Sequence, residues 1–190
     1  MANDERYGDW MQLYSGKPFW PLDPRAEEID IADIAHALSQ QCRYAGHCLG
    51  FYSVAQHSVL VSRNVPLDHA VWGLLHDAAE AYLVDLPRPV KGVVQGYREA
   101  EDRVLAAVAE HFGLALPIPE AVHLADNEAL ITEKRDLMAP SMKAWGLPPE
   151  LQPWPDAIDP WIPSMARYLF LKAAFNLGLR GAEKALDNLD

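Results

Sequence analysis

Apolar residues recur at helical spacing along most of this chain, and no stretch shows the convincing apolar–polar alternation of a half-buried strand. In IADIAHALSQ, residues 31–40, four apolar side chains fall on one helical face behind the capping residue Asp30. YREAEDRVLAAVAEHF, residues 97–112, repeats the pattern and is followed by the helix-ending Gly113. With 190 residues, 50% of them hydrophobic, the chain can bury a full core. The sequence therefore predicts an all-α fold in a single compact domain.

Capping residues, prolines and glycines divide the helical chain into segments. Ser53 is a second predicted cap, and a loop around Gly46 and Gly50 precedes it. Seven prolines and three tryptophans within 139–163 predict a long ordered loop that serves as a lid or an interface. The predicted elements, in chain order, are an irregular segment over 1–28, helices that begin at Ile31, Val54 and Pro66, a rigid loop at 86–89, and helices over 97–112, about 119–138, 164–177 and 182–189.

The acidic composition limits the classes of partner. The formal net charge is −11 and the pI is about 5.0, which disfavours binding to DNA, RNA or anionic membrane, because nucleic-acid footprints are basic. A small anionic substrate stays compatible, since a local cationic pocket or a metal ion can outweigh the mean field. The first ten residues, MANDERYGDW, are polar and acidic, so we expect no signal peptide. No apolar run reaches the roughly 18 residues that a membrane span needs, so we expect no membrane span. Cys42 and Cys48 are expected as free thiols in a cytoplasmic protein.

The stretch WGLLHDAAEAYLVDLPRPVK, residues 72–91, places titratable groups inside a run of apolar residues. Burying such groups is costly unless they are paired or bind a metal. On a helix, His76 and Glu80 lie four residues apart on one face, and Asp77 reaches the same point from the rim of that face. Because two ligands hold a catalytic metal poorly, we expect further donors nearby.

Two more mid-helix residues supply such donors. His57 lies in VAQHSVLVS and Asp126 lies in VHLADNEALI, each among apolar neighbours. Each alone has a plainer interpretation, as a hydrogen-bonded core histidine or as a helix-face aspartate bonded to a loop. With His76 and Asp77 they offer two nitrogen and two oxygen donors, a mixture that suits Zn, Mn, Fe, Co or Ni better than Ca. The sequence therefore predicts a divalent metal ion, with Mg also among the candidates.

Longer segments around these residues resemble a known family. The order His57, His76-Asp77, Asp126 is similar to the H…HD…D signature of the HD-domain metal-dependent phosphohydrolase superfamily. YSVAQHSVLVS, LLHDAAEAYLVDLPRPVK and ADNEALITEKRDL resemble, in order, segments of its bacterial and phage 5′-deoxynucleotidase branch, which includes relatives of the phage dATP triphosphohydrolase. The resemblance covers roughly residues 27–138. It implies a compact helical HD-domain fold, a divalent metal and hydrolysis of a nucleotide phosphate ester.

The resemblance also implies roles for single residues. The implied metal ligands are His57, His76, Asp77 and Asp126. Glu80 is expected to orient or deprotonate the attacking water, and Asp85 to lie near the water or the leaving group. Arg43 and Lys91 are expected at the substrate phosphate. Tyr44 stands where relatives often have Trp or Phe close to the sugar.

Several alternatives stay open from the sequence. The substrate is a deoxynucleoside monophosphate, a triphosphate such as dATP, another phosphoester or a signalling nucleotide, or else the domain is a catalytically silent nucleotide-binding module. The resemblance implies a homo-oligomer, either a dimer or a larger ring. Cys42, His47 and Cys48 lack a fourth ligand for a zinc knuckle. The charge run over 133–136 is expected on a solvated face, and a tryptophan such as those of 145–161 is a minor candidate for the base pocket.

Overall fold

A computed structural model describes residues 6–189. Within that range the chain forms α-helices and one short β-hairpin, which confirms the predicted all-α class. No helix of the described part is both long and apolar enough to cross a membrane. The helices are α1 (Ile31–Gln40), α2 (Val54–Arg63), α3 (Ala70–Leu75), α4 (Glu80–Leu83), α5 (Arg88–Lys91), α6 (Tyr97–Phe112), α7 (Glu120–Leu137), α8 (Pro163–Asn176) and α9 (Ala182–Asp187).

Both predicted N-caps are formed. Asp30 Oδ1 accepts a hydrogen bond from the backbone N–H of Ala32 at 3.1 Å, and Ser53 Oγ accepts one from that of Gln56 at 3.1 Å. α6 ends as predicted at Gly113, whose φ of 69° belongs to the left-handed region that favours glycine. Local signals therefore decide where these helices begin and end.

α2 is the central helix of the fold. It packs against α1, α3, α7 and α8, and eight of its ten residues are buried. α3 approaches it closely at Gly73, where a Cβ atom would lie 2.7 Å from Ser62 Cα. Ser62 Oγ also donates a hydrogen bond to Ala70 O at 2.7 Å. This close approach brings His57, in the middle of α2, next to His76, which directly follows α3.

Two apolar clusters hold α2 between them. The larger cluster joins α1, α2, α6, α8 and α9 and includes the fully buried Leu38 and Phe170. The second cluster includes Trp72 of α3 together with Ala125 and Ala129 of α7. Because these two alanines flank Asp126 in sequence and are buried, their packing fixes the position of this part of α7 beside α2.

The predicted single helix from Pro66 is wrong, because the helix is interrupted at the predicted metal ligands. α3 ends at Leu75, and α4 begins at Glu80. The N–H of Ala78 bonds to Leu75 O at 2.9 Å and that of Glu80 to Asp77 O at 3.0 Å, three residues back instead of four. In such tight turns residues three apart align, so Asp77 and Glu80 come onto one side.

Two further segments differ from their predictions. Residues 1–28 were expected to be irregular, but strands β1 (Met11–Gln12) and β2 (Pro18–Phe19) pair in antiparallel fashion. Residues 1–5 lie outside the described range. At 86–89 the expected loop gives way to α5, whose proline lies in the first turn, where a helix needs no N–H donor.

The Pro/Trp-rich segment that precedes α8 contains no helix or strand among its described residues, as predicted. Side chains of α2 and α7 hold its second half. Gln56 Nε2 donates to Asp159 O at 2.8 Å, and Arg135 Nη1 donates to Trp154 O at 2.7 Å. The Trp154 side chain belongs to the second apolar cluster. The segment is therefore an ordered connection packed over α2 and α7.

Candidate metal centre

The four predicted ligands meet at one point between α2, α3 and α7. His57 Nε2 lies 3.2 Å from His76 Nε2 and 3.2 Å from Asp126 Oδ1. Asp77 Oδ2 lies 3.6 Å from His57 Nε2 and 3.4 Å from His76 Nε2. Donors at ~2.1 Å from one ion, at tetrahedral or octahedral angles, lie about 3.0–3.4 Å apart. His57, His76 and Asp126 can therefore hold one metal ion, and Asp77 lies beside them.

Hydrogen bonds on the outer side of each imidazole point its Nε2 atom inward. His57 Nδ1 lies 2.6 Å from Glu133 Oε1, and His76 Nδ1 lies 2.8 Å from Gly73 O. Because an ionised carboxylate and a carbonyl only accept, each Nδ1 carries a proton. The two Nε2 atoms then face each other at 3.2 Å, which requires a proton on one ring or a cation between them. Outer carboxylate and carbonyl partners of this kind are typical of metal-binding histidines.

The electrostatics favour a positive charge at this point. Burial and Arg43 both lower the pKa of His57, but Glu133 and Asp126 outweigh them and raise that pKa to about 9. Burial raises the pKa of the Asp126 carboxyl, yet His57, His76 and Arg43 together hold it below its usual range. A fully buried ring that favours its charged form indicates that the surrounding carboxylates stabilise a cation.

Glu133 is the centre of a polar network behind the candidate ligands. The prediction that Glu133 lies on a solvated face is wrong, because its side chain is 0% exposed. Its carboxylate accepts hydrogen bonds from Tyr44 Oη and, at 2.9 Å, from Tyr52 Oη, and it pairs with Arg43 Nη2 at 3.3 Å. Burial raises the pKa of Glu133, but Arg43 and His57 outweigh it and lower that pKa to about 2. Glu133 is therefore an ionised partner that orients His57.

The candidate ligands open onto a cleft of about 480 Å³, a volume in the range of small-molecule sites. Of the residues singled out from the sequence, those that line this cleft are Arg43, Tyr44, Asp77, Glu80, Asp85, Lys91 and Asp126. His57 and His76 lie at its base through their contacts with Asp77 and Asp126. The structure therefore brings together all nine predicted site residues.

Glu80 and Asp85 stand on one wall of the cleft. Glu80 is 5% exposed, and its Oε2 atom has no hydrogen-bond partner among residues 6–189. Burial, with the charges of Asp77 and Asp85, raises the pKa of Glu80 well above its ordinary value. Burial also raises the pKa of Asp85. Glu80 can therefore hold a proton next to the candidate ligands.

Gln41 connects these two carboxylates through the backbone. Its Nε2 donates to Glu80 O at 2.9 Å, and its Oε1 accepts from the N–H of Asp85 at 3.0 Å. Between them Val84 has a φ of 71°, a strained conformation for a β-branched residue. Tyr97 Oη donates to Val84 O at 2.5 Å. Gln41 and Tyr97 thus hold a strained turn that places Asp85 on the cleft wall.

The two predicted phosphate-binding residues are held by carboxylates. Arg43 Nη1 lies 3.4 Å from Asp77 Oδ2, while the buried Arg43 Nε has no partner within the described part of the chain. Lys91 Nζ pairs with Glu101 and lies 3.9 Å from Glu80 Oε1. Both cations therefore border the cleft next to the acidic groups that would otherwise repel an anionic ligand.

Sequence reasoning missed Glu133, Gln41 and Tyr52. Glu133 lies seven residues after Asp126, two turns along the same face of α7, and this spacing could have singled it out. The other two carry no such signal. They come together because the segments after α1 and before α2 pair through their backbones, with the Arg43 N–H bonded to Tyr52 O at 2.9 Å.

Comparison with known proteins shows the family but no activity. No protein-family model matches the chain. Over 128 residues, which are 67% of this chain and 72% of the relative, it is 43% identical to "Uncharacterized protein YfdR" of Escherichia coli (strain K12). Over 132 residues, 62% of this chain and 67% of the relative, it is 41% identical to "Uncharacterized protein RCAP_rcc00048" of Rhodobacter capsulatus. At this identity and coverage, the chain belongs to the family of Escherichia coli YfdR.

Proposed function

We propose that this protein is a metal-dependent phosphohydrolase of the HD type that cleaves the 5′-phosphate ester of 2′-deoxynucleotides. The observation that carries the proposal is the convergence of two imidazole nitrogens and two carboxylates, with contacts of 3.2–3.6 Å, at the base of a cleft. These four residues match the signature that the sequence resembles in order and in type. The resemblance to the 5′-deoxynucleotidase branch supports the substrate class.

Each of the residues around the candidate metal centre can take one role in such a hydrolysis. A divalent ion held by His57, His76 and Asp126 would supply a water of lowered pKa and a Lewis acid for a phosphoryl oxygen. Arg43 offers to a phosphate oxygen its Nε–H, which is unpartnered within the described chain, while its two Nη atoms pair with Asp77 and Glu133. Glu80, whose Oε2 is buried and unpartnered within the described chain, orients the attacking water. A divalent ion at the centre would lower the pKa of Glu80, so that its carboxylate could accept the proton of that water.

The charge of the cleft supports an anionic substrate. Three basic and four acidic side chains line it, a formal excess of one negative charge when all of them are ionised, despite the strongly acidic composition of the whole chain. A bound divalent ion reverses that excess to one positive charge. Asp85, on the wall beside Glu80, is placed to protonate the leaving 5′-oxygen directly or through a water. Cys42 and Cys48 are free thiols, which agrees with the cytoplasmic location that we propose.

The test is phosphate release from a panel of deoxynucleoside mono-, di- and triphosphates with Mn²⁺, Co²⁺, Zn²⁺ or Mg²⁺. We expect phosphate or triphosphate release in the presence of metal and its loss in Glu80→Gln. The matched control is Glu110→Gln, an exposed glutamate on α6, which should keep wild-type turnover.

Two results would contradict the proposal. If no panel member is hydrolysed with any metal, the protein is not a deoxynucleotide phosphohydrolase, and nucleotide binding without turnover would instead support a catalytically silent module. If Glu80→Gln binds metal and turns over like the wild type, the role assigned to Glu80 is wrong. Analytical ultracentrifugation tests the homo-oligomer that the resemblance implies.

A further inference from the structure

Part of the cleft lining consists of apolar and aromatic side chains. Leu130 of α7 lines it, together with Tyr44, Trp145 and Leu147. Within residues 139–150, Trp145 and Leu147 are partly buried, and all the other residues are exposed. An otherwise solvent-exposed segment therefore turns two large apolar side chains into the cleft.

A glycine separates the two apolar side chains of this segment. Trp145 and Leu147 are separated by a single residue, and both line the cleft. Gly146 between them has a φ of 64°, a value that L-residues rarely adopt and that a glycine tolerates. Gly146 therefore lets the backbone turn between the two side chains that line the cleft.

The Tyr44 and Trp145 rings form a pair on the cleft lining. Their centroids are 5.5 Å apart with an interplanar angle of 50°. The Tyr44 ring is held from the other side, because Tyr44 Oη donates to the buried Glu133 carboxylate. Lys134 Nζ lies 5.6 Å from the Trp145 ring centroid, a cation–π contact that fixes the indole against α7.

The distance from the candidate metal centre suits a nucleoside. Asp126, Leu130 and Lys134 follow one another at four-residue intervals on α7. With a rise of about 1.5 Å per residue, the aromatic pair beside Lys134 lies roughly 6–12 Å along the helix from Asp126. A ribose spans such a gap between a phosphate at the metal end and a heterocycle at the aromatic end.

We propose that Trp145, with Tyr44, is the stacking surface for the heterocyclic base of the nucleotide, and that it accepts all four bases. This inference rests on the proposed function for the nucleotide class. Leu130 and Leu147 offer no polar side-chain atoms, and Tyr44 Oη is engaged by Glu133. A base held by its π-face and by apolar contacts is bound without hydrogen-bond discrimination, since every base has such a face.

The test compares ligands with and without a base. Binding of dAMP, dCMP, dGMP, TMP and the base-free deoxyribose 5-phosphate is measured by calorimetry with Mn²⁺, in a Glu80→Gln background that prevents turnover. Trp145→Leu should weaken binding of all four nucleotides about tenfold or more, as expected for loss of one stacked base, and leave deoxyribose 5-phosphate unchanged. Trp145→Phe should retain most of the affinity. Trp10→Leu, at a 53% exposed tryptophan outside the cleft, is the matched control and should change nothing.

The outcomes separate this inference from the proposed function. Trp145-dependent binding of nucleotides that are not hydrolysed with any metal supports the stacking surface and refutes the enzyme. Hydrolysis with a KM that Trp145→Leu leaves unchanged for every nucleotide supports the enzyme and refutes the stacking surface. The stacking surface is also refuted if the nucleotides do not bind or bind no tighter than deoxyribose 5-phosphate. The claim that it accepts all four bases is refuted if one base is preferred more than about a thousandfold, which requires hydrogen-bond readout.

Discussion

Substitution Glu133→Gln tests the network behind the candidate metal centre. One carboxylate oxygen accepts from Tyr52 and from His57, and the other accepts from Tyr44 and pairs with Arg43. A glutamine has a single oxygen. If that oxygen faces His57, the amide NH₂ points at the Arg43 guanidinium, and the reverse orientation points it at the Nδ1–H of His57. Either way a donor faces a donor, and the charge that compensates Arg43 is lost.

Two magnitudes follow from these contacts. Removing one partner of a buried ion pair costs about 3–5 kcal/mol of unfolding free energy. In a domain of this size each kcal/mol shifts Tm by about 2–4 °C, so we expect a loss of roughly 6–20 °C. Loss of the outer partner of a metal-binding histidine weakens metal affinity about 10–100-fold. The variant should therefore be both less stable and a weaker metal binder.

Urea unfolding of the metal-free protein and Zn²⁺ competition against a chromogenic chelator measure the two effects. The matched control is Glu128→Gln on the same helix, where the carboxylate accepts one hydrogen bond from Trp154 Nε1 at 3.3 Å. That change should cost less than about 1 kcal/mol and leave Zn²⁺ affinity unaltered. If Glu133→Gln matches the control in both assays, Glu133 does not support His57, and the reasoning is wrong.

Three other predictions address the packing, the cleft wall and the metal. Gly73→Ala should destabilise the fold by about 1–3 kcal/mol in urea unfolding, because its Cβ would lie 2.7 Å from an α2 backbone atom. The control Gly50→Ala should be near neutral, since its Cβ would have nothing within 4 Å. Equal stabilities of the two variants would refute the close approach of α3 to α2. Gln41→Ala should lower turnover without changing Zn²⁺ affinity, since it releases the turn that carries Asp85, and Gln40→Ala should not. Zn²⁺ at a hundred times its Kd should stabilise the wild type by about 2.7 kcal/mol, a shift in Tm that His57→Ala must abolish.

The sequence was sufficient where local chemistry decides structure. Asp30 and Ser53 cap helices because a side-chain oxygen replaces a missing backbone acceptor, which depends on neighbouring residues alone. The predicted site residues were found because ionisable groups in apolar helices stand out from their surroundings. The structure places them at one cleft, and their chemical roles stay predictions.

The sequence was insufficient where tertiary contacts decide. The run around His76 has the composition of an uninterrupted helix, so its break into α3 and α4 could not be read from propensity. Glu133 lies in a charged run for which the sequence predicts a solvated face, yet Arg43 and two tyrosines compensate its burial. Gln41 acts through backbone groups that only the folded chain brings near it.

The most direct test of the account is an anomalous-scattering map from crystals grown with Mn²⁺ or Zn²⁺. We expect one strong peak between α2, α3 and α7, at about 2.0–2.2 Å from the Nε2 atoms of His57 and His76 and from a carboxylate oxygen of Asp126. A map with no peak there, or with the ion bound elsewhere on the chain, would contradict the central claim that these side chains form a metal centre.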